Sequence, residues 1–144
     1  MSQPIVIDNS VIIRWFHPSG DEKDLAYADK ILKSLEDNRI IPYAPYILIM
    51  EFVNVLHTLE RKGELTGNVE VALMNFEHLG LEIAGPEYNA FLHMHSLSEF
   101  CSRYSLSAYD AAYLELAIRL DCPLLTLDKP LNKAAKKAGV TVEL

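Results

Sequence analysis

Residues 106–131 read LSAYDAAYLELAIRLDCPLLTLDKPL, and this stretch decides the fold class. Ser107 opens a helix carrying Ala111, Ala112, Leu114, Leu116, Ala117 and Leu120. A strongly apolar strand, PLLTL at 123–127, follows directly and gives way at Asp128 to a short basic helix, Lys129 to Ala138, closed by Gly139. A strand written as an unbroken apolar run, with helices on either side, is what a parallel sheet buried on both faces requires.

The rest of the chain repeats the alternation. PIVID at 4–8 is a first buried strand ending in an acid. A helix from Asp24 to Leu35 places Leu25, Ala28, Ile31, Leu32 and Leu35 on one stripe. IIPYA at 40–44 is a second strand, and Pro45 begins a helix through Leu48, Glu51, Phe52, Val55, Leu56 and Leu59, which Gly63 ends. Further helices are expected over 68–79 and from Glu87 to about Tyr104, with a strand LEIA at 81–84 between them. VTVEL at 140–144 reads as a final strand. With no repeat or linker, residues 1–144 are expected to form a single domain of mixed α/β architecture.

Composition narrows the function. Of 144 residues half are hydrophobic and 23% charged, which is the make-up of a globular chain. The net charge of −7 excludes nucleic-acid binding by a broadly basic surface; any such contact is local or uses a metal ion, and the acidity suits a basic protein partner. Cys101 and Cys122 read as two buried free thiols, in keeping with a reducing cytoplasm. The N-terminus carries no signal-peptide pattern, and no apolar stretch approaches the roughly 20 residues of a membrane span.

Ligands of open parallel sheets bind outside the carboxyl ends of the strands. Asp8 and Asp128 end the first and fourth strands, Asp110 lies in the first turn of the helix before the fourth, and Glu51 interrupts an apolar helix stripe. Taken singly, each has a structural explanation. Asp128 suits an N-cap, Ser107 and Asp110 have capping-box spacing, Asp8 can close an Asx turn, and Glu51 can lie on a solvated flank. Together they argue differently. Two carboxylates about 4 Å apart repel by roughly 4 kcal/mol at an effective dielectric near 20, so convergence of four calls for a cation. Mg²⁺ and Mn²⁺ favour such oxygen-only ligands.

Other signals carry less. His93 and His95 are two apart on a helix and point to different sides, while His17 and His57 stand alone. No phosphate-binding glycine loop or nucleophile elbow occurs, and Tyr43, Tyr46 and Tyr109 read as packing residues. Lys129, Lys133, Lys136 and Lys137 place positive charge directly after Asp128, suited either to an RNA backbone or to the helix C-terminal dipole; Arg14 is a similar candidate.

Four segments, IDNSVIIRWF at 7–16, IMEFVNVL at 49–56, LSAYDAAYLELAIRL at 106–120 and LLTLDKPL at 124–131, together resemble PIN-domain ribonucleases, most closely the VapC toxins of toxin–antitoxin pairs. The resemblance implies a three-layer α/β/α fold with a short, mostly parallel central sheet, and Mg²⁺- or Mn²⁺-dependent endoribonuclease activity. It implies Asp8 and Asp110 as principal metal ligands, Asp128 completing the site, and Glu51 binding metal or orienting the attacking water. It matches Ser10, Asn54 and Thr126 to supporting polar positions, and implies a homodimer inhibited by a small antitoxin. Asn9 departs from the family's usual small residue. Two other classes compete: a receiver- or phosphatase-like α/β domain, disfavoured because Ser10 occupies the place of a second aspartate, and a non-catalytic binding module, disfavoured by the full set of four acids.

Overall fold

In the computed structural model, which describes residues 1–86 and 89–144, four of the five apolar runs expected as strands join one parallel sheet. The strands are β1 (Gln3–Ile7), β2 (Ile40–Pro45), β3 (Glu82–Ala84) and β4 (Leu124–Leu125), ordered β3-β2-β1-β4. β1 is the pivot: its Val6 stands in register with Tyr43 of β2 on one side and Leu124 of β4 on the other. Ile5, Val6, Ile7, Leu124 and Leu125 are completely buried, which is why these strands show no apolar–polar alternation.

The helices are α1 (Asn9–Phe16), α2 (Glu22–Glu36), α3 (Ile47–Arg61), α4 (Val69–His78), α5 (Ala90–Tyr104), α6 (Ala108–Leu120) and α7 (Lys129–Lys137). Two crossovers step outward from β1 to β2 to β3, and the third returns across the sheet to β4. Right-handed crossovers therefore put α1–α4 on one face and α5 and α6 on the other, giving the three-layer α/β/α arrangement. α6 lies against β1, β2 and β4 while also packing on α5 and α7, so Ala111 through Ala117 are all buried. On the opposite face Phe52 of α3 packs edge-on to Phe16 and stacks on Phe76.

Both expected glycine stops are found. Gly63 and Gly139 adopt left-handed backbone, and in each case the next residue's N–H returns to the third residue from the helix end: Glu64 to the Leu59 carbonyl and Val140 to the Ala135 carbonyl, both 2.9 Å.

Three expectations change. NSVIIRWF at 9–16 forms a helix that the periodicity did not announce, because Val11, Ile12 and Ile13 are consecutive and all buried. The fourth strand contracts from 123–127 to Leu124–Leu125, since Thr126 and Asp128 turn their groups toward the site. VTVEL at 140–144 is not a strand: a single backbone bond, Leu124 N–H to the Thr141 carbonyl, ties it to β4, and two residues of edge offer no ladder to extend. The helix start expected at Glu87 lies outside the described residues; α5 runs from Ala90, capped by the Asn89 side chain.

Candidate acidic centre

Three helices begin where the strands end. α1 follows β1, α3 follows β2, and α6, which precedes β4 and runs against it, starts at the same carboxyl edge. Asp8, Glu51, Asp110 and Asp128 thereby gather at one edge of the sheet, although Glu51 and Asp110 come from opposite layers.

Asp8 occupies the N-cap position of α1 but does not cap it. Its Oδ2 instead accepts 2.7 Å bonds from the hydroxyls of Ser10 and of Thr126, 118 positions away. Those hydroxyls are themselves held, Ser10 Oγ accepting from the Leu127 N–H and Thr126 Oγ1 from the Asp128 N–H. Since each hydroxyl has one hydrogen and spends it on Asp8, their 3.2 Å approach to each other is a contact enforced by the shared acceptor. Asp8 is thus locked to the turn after β4. Asp128 does cap its helix, accepting from the Leu131 N–H at 2.9 Å. Ser107 caps α6 by accepting from the Asp110 N–H, which leaves the Asp110 carboxylate outside the cap. Glu51 accepts a 2.6 Å bond from the hydroxyl of Tyr113.

Asp8, Glu51 and Asp110 resist ionisation. Burial is the largest cause of the raised pKa of Asp8, followed in that direction by the Asp128 charge. Burial likewise raises Glu51, with Asp8 and Asp110 adding to it and the Tyr113 hydrogen bond opposing. Asp110 is pushed up to about 6 by burial and by the charges of Asp128 and Asp8. Among the described residues none of the four is in a salt bridge.

Stability is linked to this. A carboxyl whose pKa rises on folding contributes stability that is complete below its unfolded value, 3.8 for aspartate here, and is lost as pH rises through the folded value, about 6 for Asp110. The metal-free protein is therefore expected to melt at a higher temperature at pH 5 than at pH 7.5. Thermal denaturation in EDTA checks this; a melting temperature that climbs with pH across that interval would contradict it.

The fit to a divalent ion is one of donor chemistry. Among the described residues no three His, Cys, Asp or Glu side chains already converge as a ready-made cage. What is present is an all-oxygen set whose members repel one another and, among the described residues, form no salt bridge, a charge imbalance of the kind that Mg²⁺ or Mn²⁺ relieves. The Asn9 Oδ1, beside Asp8 in the chain, is also buried without a hydrogen-bond partner.

The remaining candidates divide. Ser10 and Thr126 belong to the centre through Asp8. Asn54 is exposed on α3, where its backbone carbonyl accepts from the Thr58 hydroxyl. Arg14 turns to the α1–α2 loop, donating to Ser19 at 2.8 Å. Lys129 and Lys133 are exposed on α7, immediately beyond Asp128. His93 is half-buried and His95 exposed, as their spacing implied. Tyr113 escaped the sequence reading; the available signal was its place three residues after Asp110, on the same helix face.

A model of the PIN domain family matches residues 5–137. No curated protein matches the chain. Similar solved structures include PAE2754 from Pyrobaculum aerophilum, 19% identical, with TM-score 0.62 and coverage of 93% of this chain and 87% of that one. VapBC2 from Rickettsia felis, bound to a DNA fragment from its promoter, is 13% identical with TM-score 0.64, covering 97% of each chain. FitAcB from Neisseria gonorrhoeae is 18% identical with TM-score 0.57, covering 97% and 96%. At these identities the likeness is one of fold.

Proposed function

The chain belongs to the PIN domain family, and from that premise we propose that it is a Mg²⁺- or Mn²⁺-dependent endoribonuclease, the toxin of a toxin–antitoxin pair. PIN domains are generally nucleases that use divalent metal ions, which supports the reading. The single observation that carries it here is the mutually repelling group of buried Asp8 with half-buried Glu51 and Asp110, on two of which Asp128 also acts, with none of the four in a salt bridge among the described residues.

Asp8 and Asp110 would hold the ion, with Asp128 and Glu51 completing its surroundings. A bound divalent ion supplies phosphate polarisation and a water acidic enough to attack at neutral pH. The chain's own residues do the rest. Ser10 and Thr126 keep the Asp8 carboxylate from rotating, so its geometry is set before substrate arrives. Glu51, its carboxylate partly accessible, orients the attacking water and can take up the proton that water loses. Lys129 and Lys133, exposed beside Asp128, receive the RNA backbone and steer a polyanion toward an acidic protein.

The partners proposed are a small antitoxin, whose basic segment the net charge of −7 favours, and a second copy of the chain. Two of the similar structures, VapBC2 and FitAcB, are complexes by name. A cytoplasmic location is proposed with them; among the described residues no helix is long and apolar enough to cross a membrane.

The test is RNA cleavage by the purified chain, freed of co-purifying protein by denaturation and refolding. Cleavage is expected in Mn²⁺ and not in EDTA. Intact RNA in Mn²⁺, or cleavage undiminished in EDTA, overturns the assignment.

A further inference from the structure

Tyr113 has no accessible surface, yet it carries a hydroxyl into the interior. A buried phenol O–H needs a partner to offset its lost hydration, and here the partner is the Glu51 carboxylate at 2.6 Å. The bond joins residues 62 positions apart, from α6 on one face of the sheet to α3 on the other, across the carboxyl edge. It is a charge-assisted bond, short and directional, and it occupies Oε1 alone. Among the described residues Glu51 Oε2 accepts no hydrogen bond, so it is the oxygen left for the acidic centre.

We propose that Tyr113 is a positioning residue, fixing Glu51 in one orientation through Oε1 so that Oε2 is presented to the acidic centre. The inference rests on the nuclease reading for its consequence, but the positioning itself does not. Three features support it. Tyr113 stands three residues after Asp110 on α6, so the helix that delivers one candidate ligand also delivers the clamp for another. Tyr113 stands close enough to Asp8 for that carboxylate's charge to raise the phenol's pKa, which places the hydroxyl beside the acidic centre. The pattern repeats the one at Asp8, where two hydroxyls engage a single carboxylate oxygen.

Tyr113→Phe removes the hydroxyl and keeps the buried ring, so the fold is retained. Scalar couplings about χ1 of Glu51 in the metal-free protein should report one rotamer in wild type and an average in the variant. In the second arm, Mn²⁺ affinity read from thermal shifts should weaken by about 10-fold or more in Tyr113→Phe, as for loss of a partner that orients a ligand. Adding Tyr113→Phe to Glu51→Gln should then cause no further loss. A Glu51 rotamer unchanged in Tyr113→Phe, or losses that add in the double variant, overturns the proposal. If the rotamer averages as expected while wild type is silent toward Mn²⁺, the positioning stands and the metal-nuclease reading fails.

Discussion

Asp8→Asn is expected to leave a folded protein whose Mn²⁺-dependent RNA cleavage is slower by about 10³-fold, roughly 4 kcal/mol of lost transition-state stabilisation. The size follows from what the substitution removes. Asp8 is 5% exposed, and its Oδ2 is fully committed to Ser10 and Thr126, so it is the most rigidly held of the four acids. An asparagine oxygen can accept the same two hydroxyl bonds, which preserves the turn after β4. The charge alone is lost, and with it the attraction for a cation. The same change relieves burial of a carboxylate and its repulsion by Asp128, so the melting temperature in EDTA at pH 7.5 should be no lower than that of wild type. Stabilisation by Mn²⁺ should largely disappear. Cleavage assays paired with thermal melts separate the two effects. Near-wild-type cleavage with unchanged Mn²⁺ dependence would remove Asp8 from the metal site, and a collapse of the metal-free fold would give it a structural role instead.

Phe52→Ala is expected to destabilise the fold by about 3–5 kcal/mol, a large share of the roughly 5–15 kcal/mol available to a domain. Phe52 is 1% exposed, and its ring lies 4.9 Å from that of Phe16 and 4.3 Å from that of Phe76, joining α1, α3 and α4 on one face of the sheet. Removing it leaves a cavity between three helices whose positions are set by their strands, so little collapse can fill it. Phe52→Leu retains most of the volume and should cost much less. Urea denaturation checks this: the midpoint should fall with little change in slope. A loss below about 1 kcal/mol would mean that the three-helix contact is dispensable. The neighbouring residue, Glu51, shares the α3 backbone, so weakened metal binding in Phe52→Ala would trace disorder in α3 to the acidic centre.

Much of this was legible in the chain because burial is written locally. Continuous apolar runs at 4–8 and 123–127 announced strands covered on both faces, and Ser107, Asp128, Gly63 and Gly139 announced helix ends through caps that depend on neighbours a few residues away. Where local pattern was silent, prediction failed. Val11, Ile12 and Ile13 show no helical period because the start of α1 is buried all round, and the apolar alternation of VTVEL found too short an edge on β4 to pair with.

A covered parallel sheet, acids at strand ends and helix caps at Asp128 and Ser107 can all be read from neighbouring residues along the chain. Which of the strand-end acids caps its helix was settled only by long-range pairing. Asp8 and Asp128 both stand at N-cap positions, yet one caps and the other does not. The difference is made by Thr126, brought beside Asp8 from 118 positions away when β4 pairs with β1. Tyr113 and Glu51 meet for the same kind of reason. Caps and periodicities depend on residues within a turn or two, whereas the partner of a carboxylate at a sheet edge depends on strand order, and strand order is a property of the whole chain.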